Sequence, residues 1–372
     1  MSESLTVQRR LRRAASVPVL LAALPALALT ASTGTAARVP GAPAGTHGLA
    51  SSATTASPLR LATAFVRSRR VAAPGAGVRA FAPVATRTYA RSIDTRSKAA
   101  VNSAYWSMFA SGLDVPTGWT GSLSGCLRGS TSSTSRSATL AAINFVRRLG
   151  GLAPVRLSSR LNGHAQATAL IMAANDQLSH YPPSTWRCYT RTGAATAARS
   201  NLALAHPDIT SAGLVEMYMD DLGSSNYGVG HRRWVMNPFT TYMGTGSTGT
   251  ANALQVVGPT SRTRPNPAYV SWPTRGWFPD ALEPHGRWSL SAGSSRANFR
   301  YATVHVYRGT RRLTVRKLRV ENGYARPTVV WRMPRSFSRT GSYRVVVTGI
   351  RHRGTSKRFR AGYTVRFFTP TR

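Results

Sequence analysis

The sequence predicts an α+β protein: an α/β sandwich followed by an all-β, immunoglobulin-like or fibronectin-like sandwich. Three observations carry that reading. Apolar residues recur at helical spacing between residues 137 and 236, and two strand-length segments close that stretch. A Pro-rich segment then separates it from short alternating stretches punctuated by Gly, Pro and Ser. With 372 residues, 42% hydrophobic content and eight Trp, the chain can bury a core and is not wholly disordered.

The first helix is read from Leu140, Ile143, Val146 and Leu149, with Gly150-Gly151 as its stop. Ser158-Ser159 cap a second helix, which carries Leu161, Ala165, Ala169 and Met172 on one face and begins to end at Asn175-Asp176. A third helix is expected from Thr210 or Ser211 through Leu214, Val215 and Tyr218 to Asp221. A short fourth helix, starting at His231, is stopped by Pro238. Strands follow at 240–246 and 253–258, and three prolines mark a linker at 259–267. Beyond it, strands are expected at 301–307, 313–320, 328–331, 342–348 and 363–368. The segments around Trp272 and Trp288 read as strand edges whose indoles pack into the core.

Arg9, Arg10, Arg12 and Arg13 precede an apolar run from Val19 to Leu29, and Gly34-Thr35-Ala36 offers a small-x-small cleavage site. That pattern is a secretory signal peptide over residues 1–36. Residues 37–100 lack a sustained period and read as a disordered linker or pro-segment. The remaining organisation is a first domain at 101–258 and a β-sandwich at 268–372. No run of about 20 apolar residues is left, so no transmembrane span is expected in the mature chain. In an exported protein, Cys126 and Cys188 are expected to be joined, which the chain-entropy relation values at about 4 kcal/mol. Two cysteines exclude a four-cysteine zinc site and a disulfide-dense miniature scaffold.

Lys+Arg number 49 against 11 Asp+Glu, a net charge of +38. The scarcity of carboxylates excludes sites built from many acidic ligands. The charge is uneven: residues 137–258 carry +4, whereas residues 266–372 carry 22 basic and 3 acidic residues, or +19. One explanation is an arginine-preferring genome. The other is attraction to an anionic cell-envelope polymer or lipid surface. Arg308, Arg311, Arg312, Arg316, Lys317 and Arg319 surround an expected hairpin and form the candidate anion-binding patch. Nucleic acid is set aside as a partner because the export signal places the protein elsewhere.

Four segments resemble the CAP superfamily (cysteine-rich secretory proteins, antigen 5 and plant pathogenesis-related proteins of group one) in its compact bacterial secreted form. Residues 142–155, reading AINFVRRLGGLAPV, resemble its first helix and the Gly-Leu-x-Pro turn. Leu178-Ser179-His180 resembles the segment ending in its first histidine. Ser200-Asn201-Leu202-Ala203 stands where the family has Glu-Asn-Leu-Ala or Glu-Asn-Ile-Ala. Gly230-His231-Arg232-Arg233 resembles its second histidine and the bacterial His-Arg pair. The resemblance implies a three-layer α-β-α sandwich with a cleft holding two His and two acids. Carried across, the cleft residues are His180, His231, Ser200 in place of the first glutamate, and Asp221 for the second, with Glu216 as its alternative.

Two imidazoles and a carboxylate suit a divalent metal such as zinc, so His180 and His231 are candidate metal ligands. The competing assignment has both histidines bonding locally and bracing the loops around the cleft. Ser200 cannot serve as a carboxylate base near neutral pH. It also lacks the strand-to-helix elbow of a serine hydrolase. His164 and His206 read as surface and loop residues. The leading expectation is a secreted, non-catalytic, envelope-associated binding protein with a weak metal site. The alternatives are a secreted metal-dependent hydrolase of peptides or envelope polymers, and a lipid or sterol carrier.

Overall fold

The computed structural model describes residues 92–372 and the backbone of Val19–Ala22. The expected leader and residues 37–91 of the expected 37–100 linker otherwise lie outside the described residues; the last residues of that linker are ordered, because a helix begins at Lys98. Helix α1 (Lys98–Met108) is capped by Ser97, whose hydroxyl accepts the Ala100 N–H at 3.2 Å. Helix α2 (Ser133–Leu149) is capped by Ser132, starts earlier than the apolar period implies, and buries Ala142, Ile143, Phe145, Val146 and Leu149. It ends where the glycine pair predicts. Gly151 takes a left-handed φ of +71°, and Leu152 N–H bonds back to Arg147 C=O at 2.9 Å. Helix α3 (Ser159–Asn175) has Ser158 as its cap and Asp176 as its left-handed exit.

Two elements went unread in the sequence. Helix α4 (Arg191–Ala197) follows Thr190, which caps it at Gly193 N–H, 3.0 Å. Strand β3 (Ser200–Ala205) is buried along its whole length. The third expected helix is shorter than predicted, α5 (Gly213–Asp220): it starts two or three residues later and stops before Asp221, which turns left-handed at φ +55°. Helix α6 (Gly230–Val235) and strands β4 (Tyr242–Ser247) and β5 (Ala251–Gln255) lie close to their expected places. With β1 (Val19–Ala22) and β2 (Arg156–Leu157) they form one sheet of order β1-β3-β5-β4-β2.

Helices cover both faces of this sheet. Leu202 and Leu204 of β3 pack with α3 and α4, whereas Ala203 and Ala205 join the core of α1, α2 and α5. The Met-Gly-Thr-Gly run of β4 allows α3 to lie directly on the strands. A Cβ at Gly246 would sit 2.1 Å from the Gln166 nitrogen, and one at Gly244 would sit 2.3 Å from the Leu161 carbonyl carbon.

The rest of the chain is all-β apart from one short 3-10 turn. One sheet contains β7 (Gly276–Pro279), β10 (Thr303–Arg308), β11 (Arg311–Leu313), β14 (Gly341–His352) and β15 (Arg358–Phe368) in the order β11-β10-β14-β15-β7, with β9 (Ala297–Asn298) paired to β14. The other contains β6 (Tyr269–Trp272), β8 (Arg287–Ala292), β12 (Arg316–Lys317) and β13 (Thr328–Arg332) in the order β12-β13-β8-β6. The expected strand at 313–320 is corrected: the chain leaves one sheet after β11 and enters the other at β12. Trp272 and Trp288 are buried as core residues. Trp288 lies edge-on to Phe337 and Tyr343, and its indole N–H donates to Glu283 Oε1 at 2.7 Å. One hydrophobic core runs without interruption from α2 and α5 into the sheets around Trp288. No helix among the described residues is long and apolar enough to cross a membrane.

Candidate functional site

The resemblance pointed to the ends of α3, α5 and α6. At each end the backbone presents a polar side chain without a solvent shell, so each needs a protein partner. His231 opens α6 and is fully buried. Its Nδ1 lies 2.7 Å from Asp221 Oδ1, and Asp221 is equally buried. The second Asp221 oxygen accepts the Arg232 backbone N–H at 3.1 Å. Tyr218 stacks on the imidazole at 5.5 Å and donates its hydroxyl to Asn252 Oδ1 at 2.7 Å. Asn201 Nδ2 donates to the His231 carbonyl at 3.1 Å. That bond places Asn201 beside α6, which accounts for an asparagine near the start of a buried strand.

His180, 7% exposed, sits beyond the end of α3 with Nδ1 2.8 Å from the Ala197 carbonyl. A carbonyl only accepts, so Nδ1 carries a proton there. Ser200 is fully buried and donates its hydroxyl to Thr196 C=O at 2.8 Å. Ala197 and Asn201 therefore tie both histidines to one turn, the exit of α4 into β3, which Ser200 closes through Thr196.

Asp221 is the residue the register favoured, and it acts as the fixed partner of His231, with both oxygens engaged. Glu216, the alternative, belongs to a different group. On the outer turn of α5 it is grouped with Asp220 and Arg339, and burial, then Asp220, pushes its carboxyl up to about 8. Asp220 in turn meets His285 Nε2 at 3.3 Å. The acidic run 216–221 thus divides between two neighbourhoods. His206 pairs with Asp176 at 2.9 Å on the surface. His164 lies with Arg128 and the disulfide around an open cavity of about 670 Å³. Cys126 and Cys188 are joined.

A zinc hydrolase needs three protein ligands and an open water position. Among the described residues no three His, Cys, Asp or Glu side chains gather around a common coordination point. The donor set offered here is two imidazoles. Asp221 stands behind one of them as its hydrogen-bond partner, so the arrangement does not fit a catalytic zinc centre.

The arginines after His231 were unassigned in the sequence, and their role is structural. Arg232 is buried. It donates from Nε to Met219 C=O at 2.6 Å and from one Nη to Arg287 C=O at 2.9 Å and Ser289 Oγ at 3.0 Å. Burial lowers its guanidinium to about 10, with Asp221 and Asp220 opposing the shift. Arg233 donates to Tyr324 C=O at 2.7 Å and Arg326 C=O at 2.9 Å and lies 3.9 Å above the Tyr324 ring. Arg287 of β8 reaches back to the carbonyls of Asp221, Asn226 and Gly223. The histidine paired to Asp221 and the arginines that lock the β-sheets onto α6 are thus consecutive. Arg264, in the expected linker, is also buried and donates to Thr240 C=O at 2.8 Å.

The CAP family profile, described as the cysteine-rich secretory protein family, matches residues 140–258. That span contains every cleft residue named above. A search of the curated proteins matches none of them. Among solved structures, PcoC, a methionine-rich copper resistance protein from Escherichia coli, is similar over 26% of this chain and 93% of its own length. The identity is 15% and the TM-score 0.20, too slight a likeness to carry an argument. Through residues 140–258 the chain belongs to the CAP superfamily.

Proposed function

We propose that this is a secreted CAP protein that binds the anionic cell envelope by charge and carries out no hydrolysis. The observation that supports the absence of chemistry is Asp221. Its two oxygens are held by His231 and the Arg232 N–H, while Ser200 donates inward, so neither supplies a general base. Binding by charge follows from the +19 on residues 266–372. An exported disulfide protein fits this reading. So does an immunoglobulin-like arrangement of the two β-sheets, in which β7 runs parallel to the last strand. The test is to incubate the full chain with purified envelope and with peptide substrates, with and without added zinc, and to assay released fragments. Sedimentation with the envelope and no fragments is the expected result. Metal-dependent release of fragments overturns it.

A weak divalent-ion site is the second reading. It is favoured by the tautomer that the Ala197 carbonyl sets on His180. Both imidazoles must be neutral to ligate, so affinity is expected to weaken in acid. Zinc calorimetry on the native chain and on a His180→Ala, His231→Ala variant decides it. Equal binding by the two moves the ion elsewhere.

A further inference from the structure

The six basic residues singled out in the sequence are divided between two sheets. Arg308, Arg311 and Arg312 lie on β10 and β11 of one sheet, and Arg316 and Lys317 on β12 of the other. Arg319 lies 5.7 Å over Tyr227. Lys317 is occupied, donating to the carbonyls of Arg300 and Ala302 at 2.9 and 2.7 Å. A different set of arginines lines a groove.

On β15 the outward positions are Arg360, Gly362, Thr364 and Arg366, set by strand alternation against the buried Ala361 and Val365. Arg344 of β14 is opposite Thr364, and Val346 is opposite Gly362. Across the other edge, Arg366 is opposite Trp277 of β7, which places Arg275 further along the same face. The segment around Thr95 and Arg96 forms a wall, held by the Trp277 N–H to Thr95 C=O bond at 2.7 Å. Together they enclose a groove of about 430 Å³. Its floor is open because Gly362 has no side chain.

Arg275, Arg344, Arg360 and Arg366 are all exposed. None of the four has an ion pair with a described carboxylate; the nearby Arg96 pairs with Asp94 at 3.0 Å. Two are held in place by aromatic rings, Arg344 at 4.1 Å over Tyr307 and Arg366 at 5.9 Å over Trp277. These ring faces are therefore covered by guanidinium and are not stacking platforms for sugars or bases. Arg344 and Arg366 are diagonal neighbours on adjacent strands, about 7–8 Å apart. Arg360 and Arg366 are six residues apart on one strand, roughly 20 Å. A charge row of that pitch and length, in a trough, suits a chain of closely repeated anions. Planar guanidinium forks suit tetrahedral oxyanions.

We propose that this groove binds a linear phosphate polymer, with Arg275, Arg344, Arg360 and Arg366 as the phosphate contacts and Gly362 as the floor. The proposal rests on the charge-driven envelope association above and names its site and ligand class.

The probe is long-chain inorganic polyphosphate, with orthophosphate and phosphatidylglycerol vesicles as separate arms. The proteins are the full native chain, an Arg344→Gln, Arg360→Gln, Arg366→Gln variant, and an Arg311→Gln, Arg316→Gln, Arg319→Gln variant with the same charge loss. A fourth protein is Gly362→Glu. A Cβ at this position meets only Val345 O, at 3.8 Å, so it places a carboxylate in the floor without strain. The groove variants are expected to lose about tenfold or more in polyphosphate affinity, and the triple groove variant to flatten the log–log salt slope by about two. The equal-charge control is expected to stay near native. Equal losses in both triple variants, or no loss in either, overturn the groove. So does vesicle binding as tight as polyphosphate binding and equally sensitive to the groove variants. If the groove variants still sediment with purified envelope as the native chain does, the groove fails and the wider reading stands. If the native chain binds neither envelope nor polyphosphate, both fail.

Discussion

The sharpest dependence at the level of single residues is Asp221. It occupies a left-handed backbone position that asparagine also tolerates, so Asp221→Asn isolates charge and hydrogen bonding from backbone strain. The amide replaces one acceptor with a donor that faces either the His231 Nδ1 or the Arg232 N–H. Leaving a buried donor unmatched costs about 1–3 kcal/mol. Asp221→Asn is therefore expected to lower the unfolding free energy by that amount, read as a lower urea midpoint with an unchanged m-value. An unaltered midpoint would mean that the His231–Asp221 pair contributes nothing to stability. His180 and His231 were legible only through ordered resemblance, because two histidines 51 residues apart carry no ligand spacing. The commitment of Asp221 to His231 was not legible at all. It depends on the chain turning left-handed at the end of α5, and an acidic run by itself does not reveal that.

At the level of elements, the cap and stop residues were the readable part. Ser158 and Gly150-Gly151 marked α3 and the end of α2 because capping is local chemistry. Helix α4, Arg191–Ala197, has no apolar period and buries Gly193, Thr196 and Ala197. Strand β3 is covered on both faces, so it shows no alternation to read. By contrast, the alternation Arg358, Arg360, Gly362, Thr364, Arg366 was present in the sequence and would have located the groove strand. Helix α5 makes a pH-dependent contact with the β-sheets. Glu216 faces Asp220 on its own helix, Arg339 from the loop before β14, and Tyr105 of α1. Its folded value, about 8, lies above its ordinary 4.5, so in that window the folded chain holds a proton that the unfolded chain has lost. Stability falls as pH rises through it. His285, raised by its hydrogen bond to Asp220, acts in the same direction: its contribution is present below 6.5 and is lost as pH rises through its folded value. The melting temperature is thus expected to decline from pH 5 to pH 8.5. Glu216→Gln should flatten that decline by removing the ionisation penalty, and a steeper decline in the variant would contradict the assignment. Arg232 ties α6 to α5 and to β8 through four hydrogen-bond acceptors, two on each, so Arg232→Met is expected to cost about 3 kcal/mol or more. Thermal unfolding reads that loss, and a shift of under a degree would remove Arg232 as a lock.

At the level of the whole molecule, the helical part and the β-sheets share one core and three reciprocal arginine locks, so substitution, not truncation, separates their roles. The composition made the charge obvious but not its placement: the basic cluster read from 308–319 divides between two sheets, while four other exposed arginines meet on the outer face of β14, β15 and β7. The proposed function requires that this chain hold anionic envelope polymer by charge and leave it intact. The most direct test is one sedimentation experiment on purified envelope and the full chain, across a salt series, with the polymer's chain length measured afterwards. The predicted result is binding at low salt that falls steeply as screening shortens the reach of the arginines, with polymer of unchanged length. Salt-insensitive binding, or shortened polymer, would contradict it.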